Sequence, residues 1–263
     1  MAAPILVFDS GVGGLSVVQA LRHRLPGAAL AYACDNAMLP YGRREDAWLV
    51  ERIQAVCQAA VAASGARALV VACNTASTLA LDALREGLAV PVIGTVPAIK
   101  PAAAVSATRH IGLLATSATV SRPYTLRLIR DFAADCRVTR VAADALVGEA
   151  ERLVIGESPD LAAIRRTLAP LWTPASCGEP VLDTVVLGCT HFPLLRRQLV
   201  DAAPREVAWI DSGEAIARRV AQVVTAPDHD ASAGPSFVTA PDRRLATGLA
   251  AFGFAPPRTL QPA

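Results

Sequence analysis

The chain has 263 residues, 53% of them hydrophobic, with 25 Lys+Arg against 23 Asp+Glu. That is apolar material for one large domain or two of about 100–150 residues each. A formal net charge of +2 with no Lys/Arg block argues against a nucleic-acid partner. Mean hydropathy is +0.39, yet no uncharged apolar run approaches the roughly 18 residues of a membrane span.

The expected elements alternate strand and helix. Residues 4–8 (PILVF) form a short strand ending in Asp9-Ser10-Gly11-Val12-Gly13-Gly14, and a helical pattern follows to about Arg24. Residues 28–33 make a second strand and 45–64 a long amphipathic helix. Residues 68–72 (ALVVA) are a third strand, ending in Cys73-Asn74-Thr75; a helix then runs to about Glu86, and 90–93 is a strand. From Lys100 the pattern restarts with a helix, a strand at 110–115 (HIGLLA), and a helix opened by Thr116-Ser117-Ala118-Thr119. Residues 138–142 are a strand, 159–171 a helix, and 181–187 (VLDTVVL) a strand running into Gly188-Cys189-Thr190-His191. In the tail, Trp209-Ile210-Asp211-Ser212-Gly213 is a strand and turn, followed by a helix to about Thr225, a polar loop at 228–234, a strand at 236–239 and a helix at 243–252.

Continuous β-branched runs alternating with helices specify parallel strands covered on both faces. The expected fold class is α/β, with two similar doubly wound domains, each built on a mainly parallel sheet, and an active site in the cleft between them. The expected boundaries are 1–97 with 208–263 for the first domain and 98–207 for the second. Ligands in such sheets bind beyond the carboxyl ends of the strands, where every polar cluster named above lies. A faint internal repeat agrees with this. Val70-Val71-Ala72-Cys73-Asn74-Thr75 echoes Val185-Val186-Leu187-Gly188-Cys189-Thr190, so two facing domains would each present a thiol to one cleft.

The N-terminus has no basic segment before an unbroken apolar run, because Asp9 interrupts it. The chain is therefore expected to be cytoplasmic, with no membrane partner. None of the six cysteines forms a C-x-x-C pair, so neither a disulfide framework nor a structural zinc site is expected. A single Cys is most often a small buried hydrophobe, and Cys34, Cys57, Cys136 and Cys177 are assigned to that class. Cys73 and Cys189 differ: each is expected at a strand end where a helix begins. Backbone N–H groups and the helix dipole there lower a thiol pKa toward the range of a useful general base. One such thiol suggests a nucleophile. Two on facing domains suggest proton removal from one face of a carbon and delivery to the other.

Asp9 is placed to share a site with Cys73, although on position alone it is equally a helix-capping carboxylate. His191, two residues past Cys189, is equally a structural histidine or a group that tunes that thiol. Gly11-Val12-Gly13-Gly14 fails both the dinucleotide and the P-loop patterns and reads instead as a nest of N–H groups for a small carboxylate. Ser10, Asn74, Thr75, Thr116, Thr119 and Thr190 add short polar groups at strand ends, where they could equally cap helices. No Lys lies in these motifs, so no pyridoxal Schiff-base site is indicated.

Together these motifs resemble glutamate racemase. The resemblance covers nearly the whole chain and includes Phe8-Asp9-Ser10-Gly11, Leu39-Pro40-Tyr41-Gly42, Ala72-Cys73-Asn74-Thr75, Leu113-Leu114-Ala115-Thr116, Gly188-Cys189-Thr190-His191-Phe192-Pro193 and Ile210-Asp211-Ser212-Gly213. It implies cofactor-independent interconversion of L- and D-glutamate, supplying D-glutamate for peptidoglycan, by a homodimer with no metal. In that pattern Cys73 takes the α-proton of D-glutamate and Cys189 that of L-glutamate. Asp9 assists Cys73, while His191 and an acidic residue assist Cys189. Asp9-Ser10, Tyr41-Gly42, Asn74-Thr75 and Thr190-His191 hold the substrate. The chain departs from the pattern at Ala142-Ala143-Asp144-Ala145, where a Cys and a Pro are usual. Leu146-Val147 followed by Glu151 keeps the family spacing and makes Glu151 the acidic helper, with Glu149 as its competitor. The rival readings are an aspartate or other racemase, an amino-acid-binding module without chemistry, and a thiol hydrolase. These would be separated by substrate preference, by solvent deuterium entering at Cα, and by a trapped acyl-cysteine.

Overall fold

The structure, a computed structural model, describes residues 3–173, 180–224 and 233–262. The N-terminal part runs β1 (Ile5–Asp9), α1 (Leu15–Arg24), β2 (Leu30–Cys34), α2 (Asp46–Ser64), β3 (Ala68–Val71), α3 (Asn74–Gly87) and β4 (Val92–Ile93). The middle continues with α4 (Ile99–Val105), β5 (His110–Ala115), α5 (Ser117–Val120), α6 (Pro123–Phe132), β6 (Arg137–Ala142), α7 (Ala145–Val154), α8 (Leu161–Trp172), β7 (Thr184–Leu187), α9 (Arg196–Ala202) and β8 (Ala208–Ile210). The C-terminal part is α10 (Gly213–Val223), β9 (Ser236–Val238), α11 (Arg243–Ala251) and β10 (Arg258–Thr259).

These strands form two sheets, ordered β10-β9-β2-β1-β3-β4 and β6-β5-β7-β8, and every pairing is parallel. β1 shows why the sheets must be covered on both faces. Ile5 and Val7 pack with Leu15, Val18 and Val220 on one side, while Leu6 and Phe8 pack with Ile53, Val56 and Ala80 on the other. All five β1 residues are fully buried, and each large apolar side chain so buried contributes about 1.5–3 kcal/mol. The second sheet repeats the arrangement. Ile111 and Leu113 face one cluster and Leu114 the other.

Local signals set the helix ends. The Glu45 carboxylate accepts the N–H groups of Ala47 and Trp48 at the start of α2, and Gly65 closes that helix at φ 62°, a conformation cheap only for glycine. Pro123 opens α6 at its first turn, where a missing N–H costs nothing.

Two features depart from the sequence reading. Residues 208–210, expected with the first domain, form β8 and pair with β7 in the second sheet. The chain crosses back only afterwards, with α10 packing on α1. The middle of the chain holds three helices that the reading did not name, α6, α7 and α9. Cys177 and residues 228–232 of the expected loop lie outside the described residues. Cys34 and Cys57 are buried and Cys136 is half-buried. Among the described residues, no helix is long and apolar enough to cross a membrane.

Candidate active site

The register of each sheet decides which residues meet. β1 lies between β2 and β3, with Phe8 opposite Val71 and the Ala72 N–H donating to the Phe8 carbonyl at 2.8 Å. Asp9 and Cys73 therefore leave the sheet side by side. In the second sheet Leu114 lies opposite Leu187, and the Gly188 N–H donates to the Leu114 carbonyl at 2.7 Å. This sets Thr116 beside Cys189. The carboxyl edges of the two sheets face each other across a small cavity bordered by Ser10, Tyr41, Gly42, Cys73, Asn74, Thr75, Thr116, Thr119, Cys189, Thr190 and His191. Its volume is about 30 Å³, space for roughly two or three waters.

Asp9 is fully buried and stands behind the cavity wall. Its Oδ1 accepts from the Gly11 N–H at 3.0 Å and the Ser10 hydroxyl at 3.3 Å, and its Oδ2 accepts from the Thr190 hydroxyl at 2.8 Å. It does not cap α1, whose N-cap is Gly14. Burial raises the Asp9 pKa, against the pull of His191 and the Gly11 N–H. Ser10 Oγ lies 3.7 Å from Cys73 Sγ. Burial, and then the nearby Asp9 charge, push the Cys73 thiol up to about 12, although the Ala76 N–H and Ser10 pull it back. The expected lowering by the helix start is thus outweighed by desolvation.

The two thiols sit differently. Cys73 is the N-cap residue of α3. Cys189, by contrast, is followed by a bend and a 3-10 turn, Phe192–Leu195, before α9 begins. The bend returns the imidazole of His191 to the thiol, with Nδ1 3.7 Å from Cys189 Sγ. Nε2 of the same ring lies 2.7 Å from Glu151 Oε1. Burial alone would lower the His191 pKa, but its hydrogen bonds to Cys189 and Glu151 together hold it well above the usual histidine range. Glu149 is turned away and accepts from the Asp160 N–H at 2.7 Å. Of the two acidic candidates, Glu151 is the one joined to His191.

The glycine-rich loop does bind carboxylates, but they are the protein's own. Gly11 N–H donates to Asp9, and Val12 N–H donates to Glu151 Oε1 at 2.8 Å. The N–H groups of Gly11 and Val12, expected to meet a small carboxylate, are thus engaged by Asp9 and Glu151. The glycines are needed for another reason. A Cβ at Gly11 would overlap Glu151 Oε1, and one at Gly13 would lie 2.5 Å from Thr190 Oγ1 and clash with the His191 ring. Ser16 adds a further tie between the sheets, donating to the Thr190 carbonyl at 2.8 Å.

Two polar groups on the wall have contrasting surroundings. Thr116 and Thr119 pair with each other at 3.1 Å, and Thr116 makes no side-chain cap to α5. Asn74 Oδ1 is buried without any hydrogen-bond partner, a cost of about 1–3 kcal/mol unless a donor meets it. Among the described residues, no group of three or more His, Cys, Asp or Glu side chains is arranged to hold a metal ion.

Residues 15–220 match the family model described as Asp/Glu/Hydantoin racemase. The chain belongs to that family. The glutamate racemase of Shewanella loihica is 46% identical over 258 residues, covering 97% of this chain and 94% of its own length. That of Salmonella typhimurium is 49% identical over 226 residues, covering 85% and 78%. Among solved structures, Escherichia coli glutamate racemase in complex with L-glutamate and the activator UDP-MurNAc-ala is 44% identical, with a TM-score of 0.91 and 98% of each chain covered. The glutamate racemase of Thermus thermophilus, in complex with beta-chloro-D-alanine, is 32% identical with a TM-score of 0.72, covering 98% and 96%.

The family's two-sheet frame thus brings ten of the sequence-named residues, and Gly42 with them, to one wall, while Asp9 and Glu151 support it from behind. Leu39, Pro40, Val147 and Gly188 also border the cavity; the sequence reading quoted them within motifs without assigning them to the site. The reading also missed the tie through Ser16, whose hydroxyl reaches a carbonyl far along the chain.

Proposed function

We propose that the protein is a cofactor-independent glutamate racemase in which Cys73 and Cys189 exchange protons with opposite faces of the substrate Cα. The observation that carries this reading is that two thiols, delivered by different sheets, border one cavity. The similarity to racemases named for glutamate, one of them solved with L-glutamate, supports the choice of substrate.

Under this reading Cys189 takes the α-proton of L-glutamate, and the Cys73 thiol gives its own proton to the opposite face, leaving D-glutamate. The reverse direction exchanges the roles. A thiol held up near 12 suits Cys73 as the resting proton donor. A protonated His191 gives charge on Cys189 a partner, and Glu151 holds that ring in place. The α-proton is a very weak acid, so charge developing on the substrate carboxylate needs donors aimed at it. Thr75 is the candidate among the wall hydroxyls, since those of Ser10 and Thr190 donate to Asp9. The unpartnered Asn74 Oδ1 suits the substrate ammonium, whose positive charge also opposes the burial and the neighbouring negative charge that raise the Cys73 pKa. The fully buried groups around the thiols exclude water, which strengthens each of these contacts. Asp9, Tyr41, Gly42, Thr116 and Thr119 complete the substrate wall or its support.

The same reading includes a cytoplasmic homodimer supplying D-glutamate for peptidoglycan. It divides the chain near residues 97 and 210, the second point following from the pairing of β8. The test is circular dichroism of L-glutamate and L-aspartate with the unaltered protein and with Cys73→Ser and Cys189→Ser. Racemisation of glutamate in preference to aspartate, lost in both variants with the fold intact, is expected. A fully active Cys189→Ser, or a preference for aspartate, would overturn the proposal.

A further inference from the structure

Directly after β2, Asp35 is fully buried and does not border the cavity. Its carboxylate receives four side-chain hydrogen bonds from three other segments. Oδ2 accepts from the Tyr41 hydroxyl at 2.9 Å and from Arg52 Nε at 3.0 Å. Oδ1 accepts from Arg52 Nη2 at 2.8 Å and from the Thr239 hydroxyl at 2.6 Å. Those four bonds use the whole accepting capacity of a carboxylate. The Asp35 N–H also donates to the Asp9 carbonyl at 3.1 Å, so the group is pinned to the strand end that carries Asp9.

Of the groups bonded to the Asp35 carboxylate, only Tyr41 reaches the cavity. Its ring is buried and its hydroxyl is committed to Asp35, so that hydroxyl is not offered to a ligand. Residues 41 and 42 both border the cavity, and their placement follows the anchor on the Tyr41 hydroxyl. Opposite them the tolerance is small, since a Cβ at Gly42 would lie 3.2 Å from Ala118 Cβ. A planar bidentate guanidinium fixes orientation as well as distance. A buried charged pair is a poor choice if stability were its only use, because apolar packing serves as well or better.

We propose that Asp35, clamped by Arg52 and Thr239, is a positioning group that sets the wall at residues 41–42 and thereby governs the affinity for substrate without touching it. The inference rests on the glutamate racemase reading above.

The test is steady-state racemisation of L-glutamate by Tyr41→Phe, Asp35→Asn and their double variant, with Thr239→Val and Thr239→Ser as a conservative pair. Losing one hydrogen bond to the clamp is expected to raise KM about fivefold or more while kcat changes much less. The double variant is expected to be no worse than Asp35→Asn alone, because both changes cut the same connection. Thr239→Ser, which keeps the hydroxyl, is expected to restore the KM that Thr239→Val loses. If Asp35→Asn does not fold, Tyr41→Phe and the Thr239 pair decide. A lowered Tm with KM unchanged in Tyr41→Phe, or simply additive effects, would overturn the inference. An unaltered protein that fails to racemise glutamate would instead overturn the reading on which it rests.

Discussion

Gly13→Ala is a one-carbon change outside the cavity that reaches the centre of the site. The added methyl would lie 2.5 Å from Thr190 Oγ1 and 2.8 Å from His191 Cε1, and neither group is free to yield. Thr190 donates to Asp9 at 2.8 Å, and His191 is held by Glu151 at 2.7 Å. Overpacking at a tight contact costs about 1–3 kcal/mol, and each hydrogen bond to a charged group that is lost adds about 1.5–3 kcal/mol. If about 3 kcal/mol of this falls on the transition state, kcat/KM drops roughly a hundredfold. Circular dichroism of L-glutamate gives the rate, and a thermal melt shows that the protein remains folded. A variant within threefold of the parent rate would refute the claim that this loop holds Thr190 and His191 in register.

Gly148→Ala provides the contrast. A Cβ at this exposed helical position meets nothing within 4 Å, so the substitution should stabilise the fold by about 0.5–1 kcal/mol and leave racemisation unchanged; a lower Tm would contradict this. Asp9→Asn should be inactive yet more stable than the parent at pH 8. Because burial raises the Asp9 pKa in the folded state, its contribution to stability is present below the ordinary aspartate value near ~3.9 and is lost as pH rises through the folded value. The Tm advantage of the variant should therefore shrink toward pH 4, and an advantage constant across that range would contradict the assignment. Glu151→Gln keeps an acceptor for the ring but removes the negative charge that helps raise His191, so the alkaline limb of the kcat profile should move to lower pH. An unmoved limb would remove His191 as the titrating group.

The parts legible in the sequence are those carried by strong local patterns. Residues 5–8 and 185–187 read as buried parallel strands because they are continuously apolar, and a polar residue at such a strand end lies at or next to the cleft. That logic found Asp9, Cys73, Thr116 and Cys189 from single residues. It could not find what occupies the glycine-rich loop, because the carboxylate of Glu151 arrives from α7, a helix that contains Gly148 and lacks a side-chain cap, so its sequence signal is weak. Nor could three residues at 208–210 declare their sheet. Pairing with β7 rather than β1 is a property of the whole fold, not of Ala-Trp-Ile. The clamp on Asp35 was hidden for the same reason, since Arg52 and Thr239 come from elements with no shared sequence signal. At Cys73 the helix start, which lowers the thiol pKa, was visible in the sequence, whereas the burial that outweighs it was not.

The central claim is that two sulfurs serve opposite faces of one carbon, and proton NMR of enantiopure L-glutamate racemised in D₂O tests it most directly. Two thiols predict that D-glutamate carries deuterium at Cα from the first turnovers while the remaining L-glutamate keeps its proton. Deuterium entering both enantiomers at the same initial rate would mean that a single base serves both faces, and would contradict the account.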